Sequence, residues 1–197
     1  PPPTDVWHSD ETFRDCPPMG TILSAKIIPA PGGDTSFCSM TALYDGLSDR
    51  MQRFLSGLEA IHDFMPFKDL FSPSDEGQER LRSFEKISPP ITHPVVRVHP
   101  ITGQKAIYVN RAFTLRIKGM DEEEGQMILD FLYRRSLRHE YHYRHRWRPG
   151  AVVFWDNRSV QHSALHDYYP GRRKLDRITL RGTRPVVGVF SREPALS

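Results

Sequence analysis

The stretch "RPGAVVFWDNRSVQHSAL" (148–165) decides the fold. Arg148, Pro149 and Gly150 read as a turn, "AVVFW" as a hydrophobic strand, Asp156–Arg158 as a tight bend, and "SVQHSAL" as a second strand carrying His162. Downstream, "RITLRGTRPVVGVF" (177–190) is strand again. Upstream, "YHYRHRW" (141–147) alternates at period two, with Tyr141, Tyr143, His145 and Trp147 on one face and His142, Arg144 and Arg146 on the other. That basic stripe is too short for a nucleic-acid footprint and reads as the solvated face of a strand.

Further out, "HPVVRVHP" (93–100) and "KAIYVN" (105–110) flank "ITGQ" as a hairpin. "GTILSAKII" (20–28) is another strand, punctuated by "PAPGGDT" (29–35). Two helical segments are expected. Leu47, Met51, Phe54, Leu55 and Leu58 give 41–64 a helical period with Ser48 as N-cap. "DEEEGQMILDFLYRRSL" (121–137) is amphipathic: Asp121 and Glu124 form a capping box, and Met127, Ile128, Phe131 and Leu132 form the buried stripe. Residues 65–90 read as a loop or lid around a short helix. Many short strands with helical insertions predict a mainly β fold, a double-stranded β-helix or jelly-roll, not a parallel α/β sheet.

The chain has 197 residues, which suits one domain over 1–197. A strong motif begins as early as Trp7, at the end of the opening "PPPTDVW", so we expect a further segment upstream. Hydrophobic residues at 38% and charged residues at 26% fit a globular protein in water, and no apolar run spans a bilayer. Neither a membrane nor a nucleic acid is expected as partner, and the net charge of +3 implies neither. Cys16 and Cys38 are too few for a disulfide scaffold and read as reduced thiols of a cytoplasmic protein.

Chemistry concentrates in "WHSDETF" (7–13). His8 and Asp10 stand two apart, so an extended chain points both to one side. Two histidines and one carboxylate can occupy one face of Fe(II) and leave three positions open. His162, on a late strand, is the candidate third ligand. A co-substrate such as 2-oxoglutarate would need a buried cation and a hydroxyl for its distal carboxylate, and arginine offers the bidentate geometry. Arg173 follows His162 by eleven residues, and Arg177 shares its face if "GRRKLDR" (171–177) is a strand.

"WHSDETF", "PPMGTIL", "PAPGGDTSF", "HPVVRVHPITGQKAIYVN" and "FWDNRSVQHSALHDYYPGRRKLDRITLRG" together resemble the taurine dioxygenase family of Fe(II)/2-oxoglutarate oxygenases, from Trp7 to about Pro185. The resemblance implies His8, Asp10 and His162 as metal ligands, with O2 as the second co-substrate. It implies Thr35 and Arg173 as the 2-oxoglutarate-binding pair. Arg177 would reach the substrate anion, and Phe113 would be a pocket aromatic. It implies hydroxylation of a small, anionic organic molecule (a sulfonate, sulfate ester or related acid), with succinate and CO2 as co-products, by a homo-oligomer. The sequence departs from the taurine pattern where that enzyme grips its amine, at Pro3 and Thr4, and at Glu11, an acid expected near the anion pocket. Hydroxylation without cleavage, of an amino-acid-like or natural-product substrate, is the rival within the family. A non-catalytic metal- or ligand-binding jelly-roll and a zinc hydrolase are rivals outside it; the hydrolase leaves Thr35 and Arg173 without a purpose.

Overall fold

The computed structural model describes residues 5–64 and 73–187. Pro3, Thr4, residues 65–72 of the expected lid and 188–190 of the last strand lie outside them. In chain order the strands are β1 (Gly20–Ile27), β2 (Thr35–Ser39), β3 (Glu59–His62), β4 (Ile91–Pro94), β5 (Val96–Val98), β6 (Lys105–Ile107), β7 (Thr114–Ile117), β8 (His142–His145), β9 (Val152–Asp156), β10 (Val160–Ala164), β11 (Lys174–Leu180) and β12 (Val186–Val187). The helices are α1 (Met40–Asp45), α2 (Asp49–Leu55), α3 (Asp75–Ile87) and α4 (Glu122–Arg135).

Among the described residues the strands form four three-stranded sheets, with orders β11-β1-β9, β10-β2-β8, β12-β5-β6 and β4-β3-β7. All pairings are antiparallel. The fold is therefore mainly strands with helices between them. Early strands pair with late ones: β1 lies between β9 and β11, and β2 between β8 and β10. That long-range pairing brings the ends of the sequence to one place. The expected 93–110 hairpin forms as β5 and β6, with Val96 opposite Ile107.

The expected helix over 41–64 is instead two short helices and a strand. Ser39 caps α1 and Ser48 caps α2, each through its side chain. Gly57 then takes φ +80°, which helical backbone does not allow. Beyond it, Glu59–His62 alternates half-buried and buried and pairs with β4 and β7. Leu58 fits the helical spacing only by coincidence with that strand's entry. Residues 75–87 make a thirteen-residue helix, longer than expected, capped by Ser74.

Helix α4 forms where expected, with Asp121 accepting from the Glu123 N–H. Its buried face differs from the expected stripe. Gly125, Leu129 and Leu132 are buried, and Met127 is 61% exposed. Gly125 faces Ile117 of β7, where a Cβ would make ordinary contact at 3.5 Å, and Ile128 and Phe131 of the expected stripe pack against the core. Leu129 turns inward and Met127 out. Burying Leu129 and Leu132 contributes roughly 1.5–3 kcal/mol each. They join Leu43, Leu55, Val95, Val96, Ile107 and Ile117 in the main core. A smaller cluster of Phe13, Phe64, Ala112 and Phe113, with Leu81 and Phe84 of α3 against it, packs beside the site described next.

Candidate metal centre

His8 and His162 face each other across an isolated antiparallel bridge. The His8 N–H donates to the His162 carbonyl at 3.1 Å, and the His162 N–H returns the bond at 2.8 Å. Residues exchanging both bonds stand directly opposite, so their side chains leave on the same face. This bridge joins an N-terminal segment to β10. Ser9, between the two early site residues, points the other way and donates to the Val160 carbonyl at 2.9 Å. Asp10 then comes round to the side that His8 occupies.

His8 Nε2, His162 Nε2 and Asp10 Oδ1 converge. Each imidazole nitrogen is 3.8 Å from the carboxylate oxygen, and one ligand atom from each of the three residues lies within 4.8 Å of the others. Such a gap is too wide for a hydrogen bond; a cation with bonds of roughly 2 Å to each donor would draw the three in. Among the described residues this is the one group of its kind. The donor chemistry fits a divalent metal. His8 Nδ1–H donates to the Val6 carbonyl at 2.7 Å, which leaves Nε2 as the lone-pair nitrogen. Burial lowers the His8 pKa, and burial together with His8 pushes that of His162 down to about 3, so both rings are neutral ligands near pH 7. Burial pushes Asp10 up, but His162, Arg177, Thr21 and His8 together hold it below its ordinary value, and it stays anionic.

Asp10 is oriented by groups that sequence reasoning assigned elsewhere. Thr21 of β1 donates its hydroxyl to Asp10 Oδ2, and Asn157 Nδ2 donates to the same oxygen at 3.1 Å. Asn157 also accepts from the Asp10 N–H at 3.3 Å and from Trp155 Nε1 at 2.9 Å. Within the bend, Asp156 Oδ1 accepts from the Arg158 N–H at 2.8 Å, while Asn157 also locks one carboxylate oxygen of Asp10 and leaves the other forward. Trp155 packs tilted against His162, with ring centroids 4.6 Å apart and planes at 51°, and lines the cavity. Asp156 turns away to His99 and Arg158.

A cavity of about 240 Å³ opens beside the three donors, with His8, His162, Thr35, Arg173 and Arg177 as its polar lining. Leu23, Trp155, Ala164 and Leu175 supply apolar wall. Thr35, buried at the start of β2, accepts from Trp147 Nε1 at 3.0 Å and from Arg173 Nη2 at 3.3 Å. Its own O–H is left to donate. Arg173 lies just before β11, not on it, yet shares the cavity with Leu175 and Arg177 of that strand. Arg177 Nη2 sits 2.9 Å from Asp10 Oδ1. Its partner is this buried carboxylate, while Asp167 pairs with Arg144.

Phe113 is buried against His8 and Phe13, at centroid distances of 6.1 and 5.1 Å, behind the triad and not among the cavity-lining residues. Glu11 is also apart from the lining. Its backbone turns left-handed at φ 48°, and its carboxylate pairs with Arg14. The expected acid beside the anion pocket therefore faces outward. Thr12 beside it is fully buried, shares a hydrogen bond with His62 Nδ1 at 2.9 Å and accepts from Asn110 Nδ2 at 2.9 Å. His62 and His93 are buried.

Known proteins share this arrangement's sequence and fold. The sequence profile of "Taurine catabolism dioxygenase TauD, TfdA family" matches residues 1–179. An alpha-ketoglutarate-dependent 2,4-dichlorophenoxyacetate dioxygenase of Cupriavidus pinatubonensis is 36% identical over 88% of this chain and 59% of its own length. An alpha-ketoglutarate-dependent sulfonate dioxygenase of Saccharomyces cerevisiae is 39% identical over 91% of this chain and 43% of its own. The chain thus spans between 43% and 59% of the length of these relatives. The crystal structure of a taurine dioxygenase from Burkholderia xenovorans superposes with TM-score 0.80 at 34% identity, covering 94% of this chain and 61% of that one. One titled AAD-2 in complex with Mn(II) and N-oxalylglycine gives 0.81 at 30% identity, covering 94% and 71%. The chain belongs to the TauD/TfdA family.

Proposed function

We propose that the protein is an Fe(II)/2-oxoglutarate-dependent dioxygenase. It hydroxylates a small anionic organic substrate and forms succinate and CO2 from the co-substrate. The observation that carries this reading is the meeting of two sets of groups at one cavity. The donors His8, Asp10 and His162 stand on one side, and the hydroxyl–guanidinium pair of Thr35 and Arg173 on the other. A zinc hydrolase has use for the first set alone.

His8, Asp10 and His162 would hold the iron, and the metal with its co-substrate supplies the oxidising chemistry when bound. The chain's residues bind, orient and exclude water. Val6 fixes the His8 tautomer, and Thr21 and Asn157 fix Asp10. Thr35 and Arg173 would receive the distal carboxylate of 2-oxoglutarate, one through its O–H and one through its fork of N–H groups. Leu23, Leu175, Ala164 and Trp155 keep the reacting region apolar. Arg177 and Arg173 give the cavity two cations against the single carboxylate of Asp10, which favours an anionic substrate. The relatives named for sulfonates, sulfate esters and aryloxyacetates support that class.

The paired early and late strands support a jelly-roll architecture, with β1 and β2 as the inner partners of β9, β11, β8 and β10. We further propose one oxygenase domain in a cytoplasmic homo-oligomer. Among the described residues, no helix is long and apolar enough to cross a membrane. A screen of sulfonates, sulfate esters, aryloxy acids and amino acids for substrate-dependent succinate release tests the function. Activity with an anion, lost in His162→Ala, supports the reading; retained activity in that variant refutes the ligand assignment.

A further inference from the structure

The motif "PAPGGDT" carries more than Thr35. Its backbone is left-handed at Gly32 (φ 91°) and Gly33 (φ 75°). A Cβ on Gly32 would come 2.7 Å from the Asp167 carbonyl oxygen, and one on Gly33 would come 3.0 Å from Arg173 Cδ. The loop therefore lies directly on the segment that carries Arg173. Gly33 N–H donates to Asp167 Oδ1 at 2.8 Å, Arg173 Nε donates to the Gly33 carbonyl at 2.8 Å, and Leu165 N–H donates to the Asp34 carbonyl at 2.9 Å.

Two acids, Asp34 and Asp167, thus sit beside an arginine meant for a ligand carboxylate. Neither is paired with it. Among the described residues Arg173 makes ion pairs with no acid, and its contacts are a carbonyl and a hydroxyl. Both acids are held by Arg144 of β8: Nε donates to Asp34 Oδ2 at 2.7 Å, and Nη2 donates to Asp167 Oδ2 at 3.4 Å. The Asp34 side chain is only 11% exposed, so without Arg144 its charge would seek the next guanidinium. Burial pushes the Arg173 guanidinium down from its ordinary value, and Tyr168 and Asp34 act against that, which puts Asp34 within electrostatic reach.

We propose that Arg144 is a positioning residue of the co-substrate subsite: by holding Asp34 and Asp167 it keeps the Arg173 guanidinium free for the distal carboxylate of a 2-oxo dicarboxylic acid. The claim rests on reading Arg173 as that clamp. It gives a purpose to the basic face of "YHYRHRW", which the sequence alone offered only to solvent.

Phenylglyoxal modification of the metal-free protein, mapped by mass spectrometry, reads whether Arg173 is free. In Arg144→Gln, modification of Arg173 slows by roughly fivefold or more as Asp34 takes it over, and in Arg144→Gln/Asp34→Asn it returns to within about twofold of wild type. Misfolding would speed modification, not slow it. An unchanged rate in the single variant, or a double variant as slow as the single, overturns the proposal. In parallel, the Kd of 2-oxoglutarate for Mn(II)-loaded protein rises about tenfold in the single variant and recovers in the double. Should wild-type protein bind no 2-oxoglutarate while the modification pattern holds, the co-substrate reading fails and the role of Arg144 stands.

Discussion

Asn157→Leu isolates the most concentrated polar node of the site. Asn157 is 1% exposed and makes four hydrogen bonds: it donates to Asp10 Oδ2 and Thr21 Oγ1 and accepts from Asp10 N and Trp155 Nε1. Leucine has a similar volume, so packing loss is small. What goes is one charge-assisted bond to a buried carboxylate, and two buried N–H groups, of Asp10 and Trp155, are stranded. At about 1.5–3 kcal/mol for the charged bond and about 1–3 kcal/mol for each stranded donor, less what local relaxation recovers, the expected loss is about 3–5 kcal/mol. Urea unfolding of the metal-free protein, followed by tryptophan emission, measures it. Because the same bonds aim Asp10, Mn(II) affinity by calorimetry should fall about 10- to 100-fold. A loss below about 1 kcal/mol with unchanged metal affinity would refute the reasoning, since Asp10 would then be oriented without Asn157.

Three further outcomes are expected. Leu129→Ala should cost about 2–5 kcal/mol in urea unfolding and Met127→Ala under about 0.5 kcal/mol, because of these two only Leu129 is buried; equal costs would contradict the observed rotation of α4. Burial pushes Asp156 up, but hydrogen bonds from Arg158 and His99 outweigh it and bring its pKa to about 2. Because this lies below the unfolded value of about 3.9, its stabilisation is fully present above about pH 4 and fades as pH falls toward 2. Asp156→Asn should flatten the acid limb of the stability profile there, and a wild-type-like limb in that variant refutes the assignment. Arg177→Gln removes a cation 2.9 Å from Asp10 Oδ1 and should raise Mn(II) affinity several-fold while weakening any anionic substrate; weaker metal binding would show that Arg177 orients Asp10 and does not compete for it.

How much of this was legible depends on what each signal rests on. Short apolar runs bounded by turn residues give β5, β6, β9 and β10, and period-two alternation gives β8, because both signals are local. The 59–62 strand was hidden, since four residues after a true helix can extend its spacing by chance, and only Gly57 marks the break. Met127 and Leu129 were exchanged because neighbouring apolar positions on one helix fit two nearby rotations, and local spacing does not choose between them. Ligand spacing gives His8 and Asp10, but Thr21 and Asn157 carry no signal of their own. Their meaning depends on the β1–β9 register, Gly20 opposite Asp156, which no local pattern encodes.

Glu11 shows why a departure from a family's wording is a weaker guide than its geometry. The position stands next to a metal ligand in sequence, which suggested an acid facing the substrate. The backbone there is left-handed, and that twist sends the side chain to the opposite side from Asp10. With Glu11 paired to Arg14, the cavity keeps one carboxylate, Asp10, against Arg173 and Arg177. A dication at the triad makes the excess of positive charge larger, and 2-oxoglutarate brings two negative charges to meet it. The balance left over still favours a negatively charged substrate, because Asp34 and Asp167, the nearest acids that could neutralise Arg173, are already committed to Arg144. On the proposed function, a preference for anions would rest less on the residues that touch the cavity than on Arg144, which holds Asp34 and Asp167 away from Arg173.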